Sequence, residues 1–101
     1  MLYYITYGCD CEIDNLIIDA TSEEEALEYT YQKSIEVYQS YEGSNGIYSI
    51  EDILNDGASM DESYEIYQEI IENSIIYSVE DYSPFNEEHR SFFEEYGIFE
   101  I

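Results

Sequence analysis

Apolar residues follow two different periods along this chain, and the switches between them divide it into elements. Leu2 to Cys9, LYYITYGC, and Glu12 to Asp19, EIDNLIID, are runs rich in aromatic and β-branched residues. Both predict strands. The short Gly8-Cys9-Asp10-Cys11 link predicts that they form an antiparallel hairpin. Ile13 and Ile17 share one face of the second strand and Leu16 and Ile18 the other, so both sides of the sheet should be at least partly covered.

The period then lengthens to that of a helix. Thr21 with Glu24, or Ser22 with Glu25, has capping-box spacing, and the helix should run to about Tyr41 and stop before Gly43. Its expected buried stripe is Ala26, Leu27, Thr30, Ser34, Val37, Tyr38 and Tyr41. Glu25, Glu28, Gln32, Glu36 and Gln39 lie opposite, with Tyr31 and Ile35 beside the acids and off the stripe. Residues 42–48 read as a loop. Ser49 to Asp52 opens a short helical piece with Ile50, Ile53 and Leu54 inward, broken at Asn55-Asp56-Gly57.

Ser59 caps a further helix, Met60 to Asn73, with Glu62 at the box position. On its wheel Met60, Tyr64, Tyr67, Ile70 and Ile71 gather on one side and Asp61, Glu62, Glu65, Glu69 and Glu72 on the other. Ile75 to Tyr82 is a third strand, expected beside the first. Ser83-Pro84 restarts the chain into a last helix, roughly Phe85 to Tyr96, with a spine of Phe85, His89, Phe92 and Tyr96. Ile98 to Ile101 can pack as an extended tail. The order predicts one α+β domain over residues 1–101, a small antiparallel sheet of about three strands packed with three to four helices.

Charge changes the picture. The 101 residues include 25 Asp and Glu against Lys33 and Arg90, a net charge of −23. A hydrophobic content of 45% with 17% aromatics is too high for a disordered acidic tail, so the acids should be displayed on a folded body. Like charges three or four residues apart on a helix destabilise it by roughly 0.2–0.5 kcal/mol per pair. Nothing basic relieves the row Asp61, Glu65, Glu69. A chain so rich in Ile and Tyr resembles the product of AT-rich coding, where Lys codons are plentiful, and a single Lys points to selection against positive charge. Salt adaptation is the competing explanation, and 15 Ile with 13 Tyr are more bulky apolar residues than such a surface keeps.

The charge also bounds the partners. Direct DNA or RNA binding and an anionic membrane surface are excluded by repulsion. No stretch reaches the ~20 apolar residues of a membrane span and the N-terminus lacks the features of a signal peptide, so the expected compartment is the cytoplasm. Cys9 and Cys11, one residue apart, are poorly placed for a disulfide, and with the lone His89 they fall short of a tetrahedral metal site. Asp52, Asp56, Asp61 and Glu62 do not fit the calcium-loop pattern around Gly57. No phosphate loop or nucleophile–base arrangement is legible, so neither an enzyme nor a cofactor is expected. The tyrosines serve two readings, core filling with hydroxyls at the surface, or interface anchors.

What remains is a partner with a strongly basic cleft, and such clefts belong above all to nucleic-acid-binding proteins. Carboxylates one helical turn apart lie ~6 Å apart along the axis, the same order as the ~3.4 Å spacing of phosphates along a DNA strand. In size, charge and acid rows such as Asp61-Glu62-Glu65-Glu69-Glu72 the sequence resembles the small acidic DNA-mimic inhibitors of phages and mobile elements, a class that includes anti-CRISPR proteins, antirestriction proteins and uracil-DNA glycosylase inhibitors. The resemblance spans the chain and rests on no specific motif. It implies a non-enzymatic inhibitor that blocks a basic DNA- or RNA-binding protein, a CRISPR–Cas effector first and an antirestriction target next. The expected contact residues are Asp61, Glu62, Glu65, Glu69 and Glu72, then Glu25, Glu28 and Glu36. A regulatory or scaffold module for a basic protein partner is the alternative.

Overall fold

The computed structural model describes residues 1–43 and 47–101; the middle of the loop expected over 42–48 lies outside them. Strands β1 (Leu2–Cys9) and β2 (Glu12–Asp19) have the expected bounds. Their register closes on Cys9 opposite Glu12, so the connection is the two residues Asp10 and Cys11. Gly8 fits the twist just before it at φ +142°, where an added Cβ would sit 2.0 Å from the Glu12 carbonyl oxygen. No other residue fits there. β3 (Ile75–Asp81) pairs antiparallel with β1, as expected. β4 (Phe99–Glu100) adds two residues parallel to β2, so the sheet has four strands in the order β3-β1-β2-β4 and is mixed rather than purely antiparallel.

Helices α1 (Glu23–Ser40), α2 (Ile50–Asn55), α3 (Met60–Ser74) and α4 (Glu87–Tyr96) complete the α+β architecture. Side-chain caps set each start. Ser22 accepts from the Glu25 N–H, Ser49 from that of Asp52, Ser59 from that of Glu62, and Asn86 from that of His89. The Asn86 cap corrects the expected start of the last helix, because Phe85 stands in the turn before it, 93% exposed and outside the spine.

Two apolar clusters hold these elements together. Tyr3 and Ile5 of β1, Ile18 of β2, Ala20 and Ala26 form the first, where α1 lies on one face of the sheet. Thr30 and Ser34, also fully buried on α1, hold their hydroxyls against backbone carbonyls of Ala26 (2.7 Å) and Thr30 (3.0 Å). Small hydroxyl side chains satisfied in this way let a helix sit close to a sheet without stranding a polar atom. The second cluster, Tyr38, Ile71 and Ile75, joins the end of α1 to the end of α3. Tyr31 and Ile35 pack against it, a correction to their expected place among the acids.

On the opposite sheet face, α4 is seated through His89, which is buried and stacks on Tyr4 with ring centroids 4.3 Å apart. Its Nδ1 accepts from the Ser83 N–H at 3.2 Å, and its Nε2 lies 3.5 Å from Glu80.

Helix α3 is rotated from its expected setting. Ser63 and Ile71 are buried and Tyr67 and Ile70 half-buried, whereas Met60 and Tyr64 are each 57% exposed. The reason is reach: α3 contacts α2 and, near its own C-terminal end, the second half of α1, and among the described residues its first turns are left open on the Tyr64 side. Leu27 of α1 is likewise exposed. The molecule measures 52 × 25 × 18 Å with a radius of gyration of 16.2 Å. A compact chain of this length has about 13 Å. The body is a rod.

Candidate partner-binding surface

All eight glutamates and aspartates singled out from the sequence are exposed, but the structure holds them in different ways. On α1, Glu25 folds back over the helix start and accepts from the Thr21 N–H (3.1 Å) and the Thr21 hydroxyl (3.0 Å). Glu28 accepts from the Gln32 amide at 3.2 Å. Glu36 lies 3.7 Å from Lys33 Nζ. Lys33 is itself drawn down between aromatic rings, its Nζ 5.7 Å from the centroid of Tyr7 and 6.0 Å from that of Tyr29.

On α3 the row divides. Glu62 accepts from the Ser59 hydroxyl (3.0 Å) as part of the helix cap. Glu72, at the other end, accepts from the Tyr31 hydroxyl of α1 and from the Gln68 amide (3.2 Å). The hydrogen bond to this carboxylate pushes the Tyr31 phenol pKa up, with burial and then the Glu72 charge adding to it. Between these ends, Asp61, Glu65 and Glu69 accept no hydrogen bond and join no ion pair among the described residues. Spaced four residues apart, they form one exposed line of unheld charge ~12 Å long.

The structure brings Glu72 of α3 together with Glu25 and Glu28 of α1. These three line a groove of about 730 Å³ between α1 and β3, whose apolar walls are Leu27, Tyr31 and Tyr77. Glu36 stands apart from it. Glu24 and Tyr77 also line the groove and were not foreseen. Tyr77 pairs edge to face with Tyr31 at 5.3 Å, a contact between elements far apart in sequence.

Other carboxylates are engaged with the fold. Glu42 accepts from the Tyr67 hydroxyl, and burial followed by the nearby charge of Asp52 raises its pKa. Glu88 accepts from the Tyr4 hydroxyl at 3.0 Å. Cys9 is buried and Cys11 half-buried, both as free thiols, and burial pushes the Cys11 pKa up. Among the described residues, no group of three or more His, Cys, Asp or Glu side chains converges on a point where a metal ion would fit, and no helix is long and apolar enough to cross a membrane. No protein-family model matches the chain, and no curated protein or solved structure matches it either.

Proposed function

We propose that this protein is a non-enzymatic inhibitor whose carboxylate rows stand in for a phosphate backbone and occupy the basic nucleic-acid-binding cleft of a host defence complex, a CRISPR–Cas effector being the first target class. The observation that carries the reading is the line Asp61, Glu65 and Glu69, which is exposed along one helix and has no hydrogen-bond or ion-pair partner among the described residues. The charge density supports it. A net −23 on a rod 52 Å long is about one charge per 2.3 Å, against one per ~1.7 Å along duplex DNA. Such a body is steered to a positive cleft by the same long-range field that steers DNA.

The test is competition. A labelled DNA duplex bound to a purified effector should be displaced by the protein, and the protein's affinity should fall steeply as salt rises, since exposed charges are screened over ~10 Å at 0.1 M. A ternary complex that retains DNA at full strength, or an affinity indifferent to salt, overturns the reading. Capture of a basic regulatory protein without any loss of its nucleic acid assigns the chain to the regulatory class instead.

A further inference from the structure

The groove between α1 and β3 lies beside an open sheet edge, and the two belong together. β3 is the outermost strand, paired only with β1 among the described residues. The Tyr82 N–H donates to the Leu2 carbonyl (3.0 Å), and Ser34 Oγ bridges the Gly8 N–H (3.2 Å) and the Ile76 carbonyl (2.9 Å). The even-numbered residues of this stretch therefore direct their backbone groups toward β1. By the alternation of an antiparallel ladder, Tyr77, Val79 and Asp81 turn theirs outward.

Tyr77 and Val79 also send their side chains to the α1 side, Val79 into the first core cluster and Tyr77 against Tyr31. A strand laid along this edge would accordingly hang every second side chain over the groove. There it would meet apolar surface first, Leu27 at 45% exposed and Tyr77 at 39%. Beyond that lie Glu25, Glu28 and Glu72, with no Lys or Arg among the lining residues.

We propose that this groove and edge receive an extended basic segment of the partner, added outside β3 with Arg or Lys at alternate positions. The proposal rests on the reading that the partner is a basic protein. Long basic side chains lay their methylene stems on apolar surface and keep the charged head at the rim, which matches Leu27 and Tyr77 below and the glutamates above. An Arg head also forms paired bonds to carboxylates and stacks on aromatic faces such as Tyr31. Main-chain pairing supplies affinity and the alternate side chains supply choice of sequence. A second copy of this chain is disfavoured as occupant, because each carries −23 and the groove would face another acidic surface.

Two short synthetic peptides of one composition test this, one with Arg and Thr alternating and one with the Arg residues clustered. With the full chain, the alternating peptide should bind about tenfold or more tightly than the clustered one and slow hydrogen exchange at the amides of Tyr77 and Val79. Val79→Pro removes an outward N–H that β1 does not use, and should abolish the preference while the circular dichroism spectrum is retained. Should that variant unfold, Glu28→Gln combined with Glu72→Gln, both at exposed positions, should reduce the preference at least threefold. Equal binding of the two peptides, perturbation centred on Asp61, Glu65 and Glu69, or a dimer protecting the same amides without peptide would each overturn the proposal. Loss of the preference with DNA competition intact leaves the inhibitor reading standing, and peptide binding without DNA competition removes that reading and keeps the groove.

Discussion

Helices α1 and α3 both turn acidic faces to solvent, yet their carboxylates live under different constraints. On α1 three of the five are held by neighbours, Glu25 by Thr21, Glu28 by Gln32 and Glu36 by Lys33, while Glu23 and Glu24 stand in the first turn, at the positive end of the helix dipole. On α3, Glu62 and Glu72 are held in the same way, but Asp61, Glu65 and Glu69 have no such partner among the described residues. A carboxylate that accepts hydrogen bonds offsets part of its repulsion against its neighbours. One that accepts none only adds to it. The difference separates acids that serve the fold from acids whose presence the fold does not account for, and the middle of α3 is accordingly the first surface to test as the contact face of the proposed inhibitor.

The contrast can be broken or sharpened by substitution. Across α3 itself, Ile71→Ala should cost about 2–5 kcal/mol, since Ile71 is 2% exposed at the heart of the second cluster. Tyr64→Ala, on the uncovered side, should stay within about 0.5 kcal/mol. Thermal or urea unfolding reads both, and equal losses would mean that Tyr64 is covered in solution.

For function, Glu65→Lys combined with Glu69→Lys should weaken target binding about hundredfold, because two carboxylates facing a basic cleft become two repelling cations. The α1 control, Glu36→Lys, should change affinity less than about threefold. If Glu36→Lys proves as damaging, the contact runs along α1.

For stability, the two helices should answer with opposite sign. Ser22→Ala removes the α1 cap and should cost about 1 kcal/mol. Glu65→Gln with Glu69→Gln removes like-charge pairs with Asp61, Glu62 and Glu72, and should raise stability by up to about 1 kcal/mol. A lower melting temperature in that α3 variant would show that those charges have partners after all.

The smallest effect concerns alkaline pH. Burial, then the hydrogen bond and charge of Glu88, push the Tyr4 phenol up to about 12. A pKa raised in the folded state gives stability that is full below the unfolded value of about 10 and lost as pH climbs through 12. Tyr4→Phe should flatten part of that decline in a pH series of denaturation midpoints. The decline should not vanish, because burial also raises Tyr3, Tyr7, Tyr29 and Tyr38.

Strand bounds in the hairpin and the serine starts of α2 and α3 were legible in the sequence, and the α1 cap was narrowed to Thr21 or Ser22, because short-range chemistry decides them. Asp10 and Cys11 interrupt two β-branched runs, and each serine cap has an acid three residues on. The sides of α3 were not legible. A helical wheel sorts Met60 and Tyr64 with Ile71, but burial depends on how far a neighbour extends, and among the described residues the Tyr64 side is left largely open. Phe85 escaped for a related reason, since the Asn86 cap starts α4 one residue after it. The groove was invisible because Glu72, Glu28 and Tyr77 meet only once α1, α3 and β3 are packed. The division of the acid row into held and unheld members depends on cross-element partners such as Tyr31, which no spacing rule names.

The seating of Lys33 between Tyr7 and Tyr29 has a practical consequence for finding the partner. Apart from the N-terminal amine, which is paired with Asp19, this is the chain's one amine, and it is turned toward rings of its own fold. Reagents that bridge two amines will therefore find almost nothing to grip here. A carbodiimide does the reverse. It activates the 25 side-chain carboxyls, which have scarcely an amine of their own to join, so the amide bonds it makes should lead almost entirely to lysines of whatever protein is bound. The residue that anchors each bond would then mark the contact face directly.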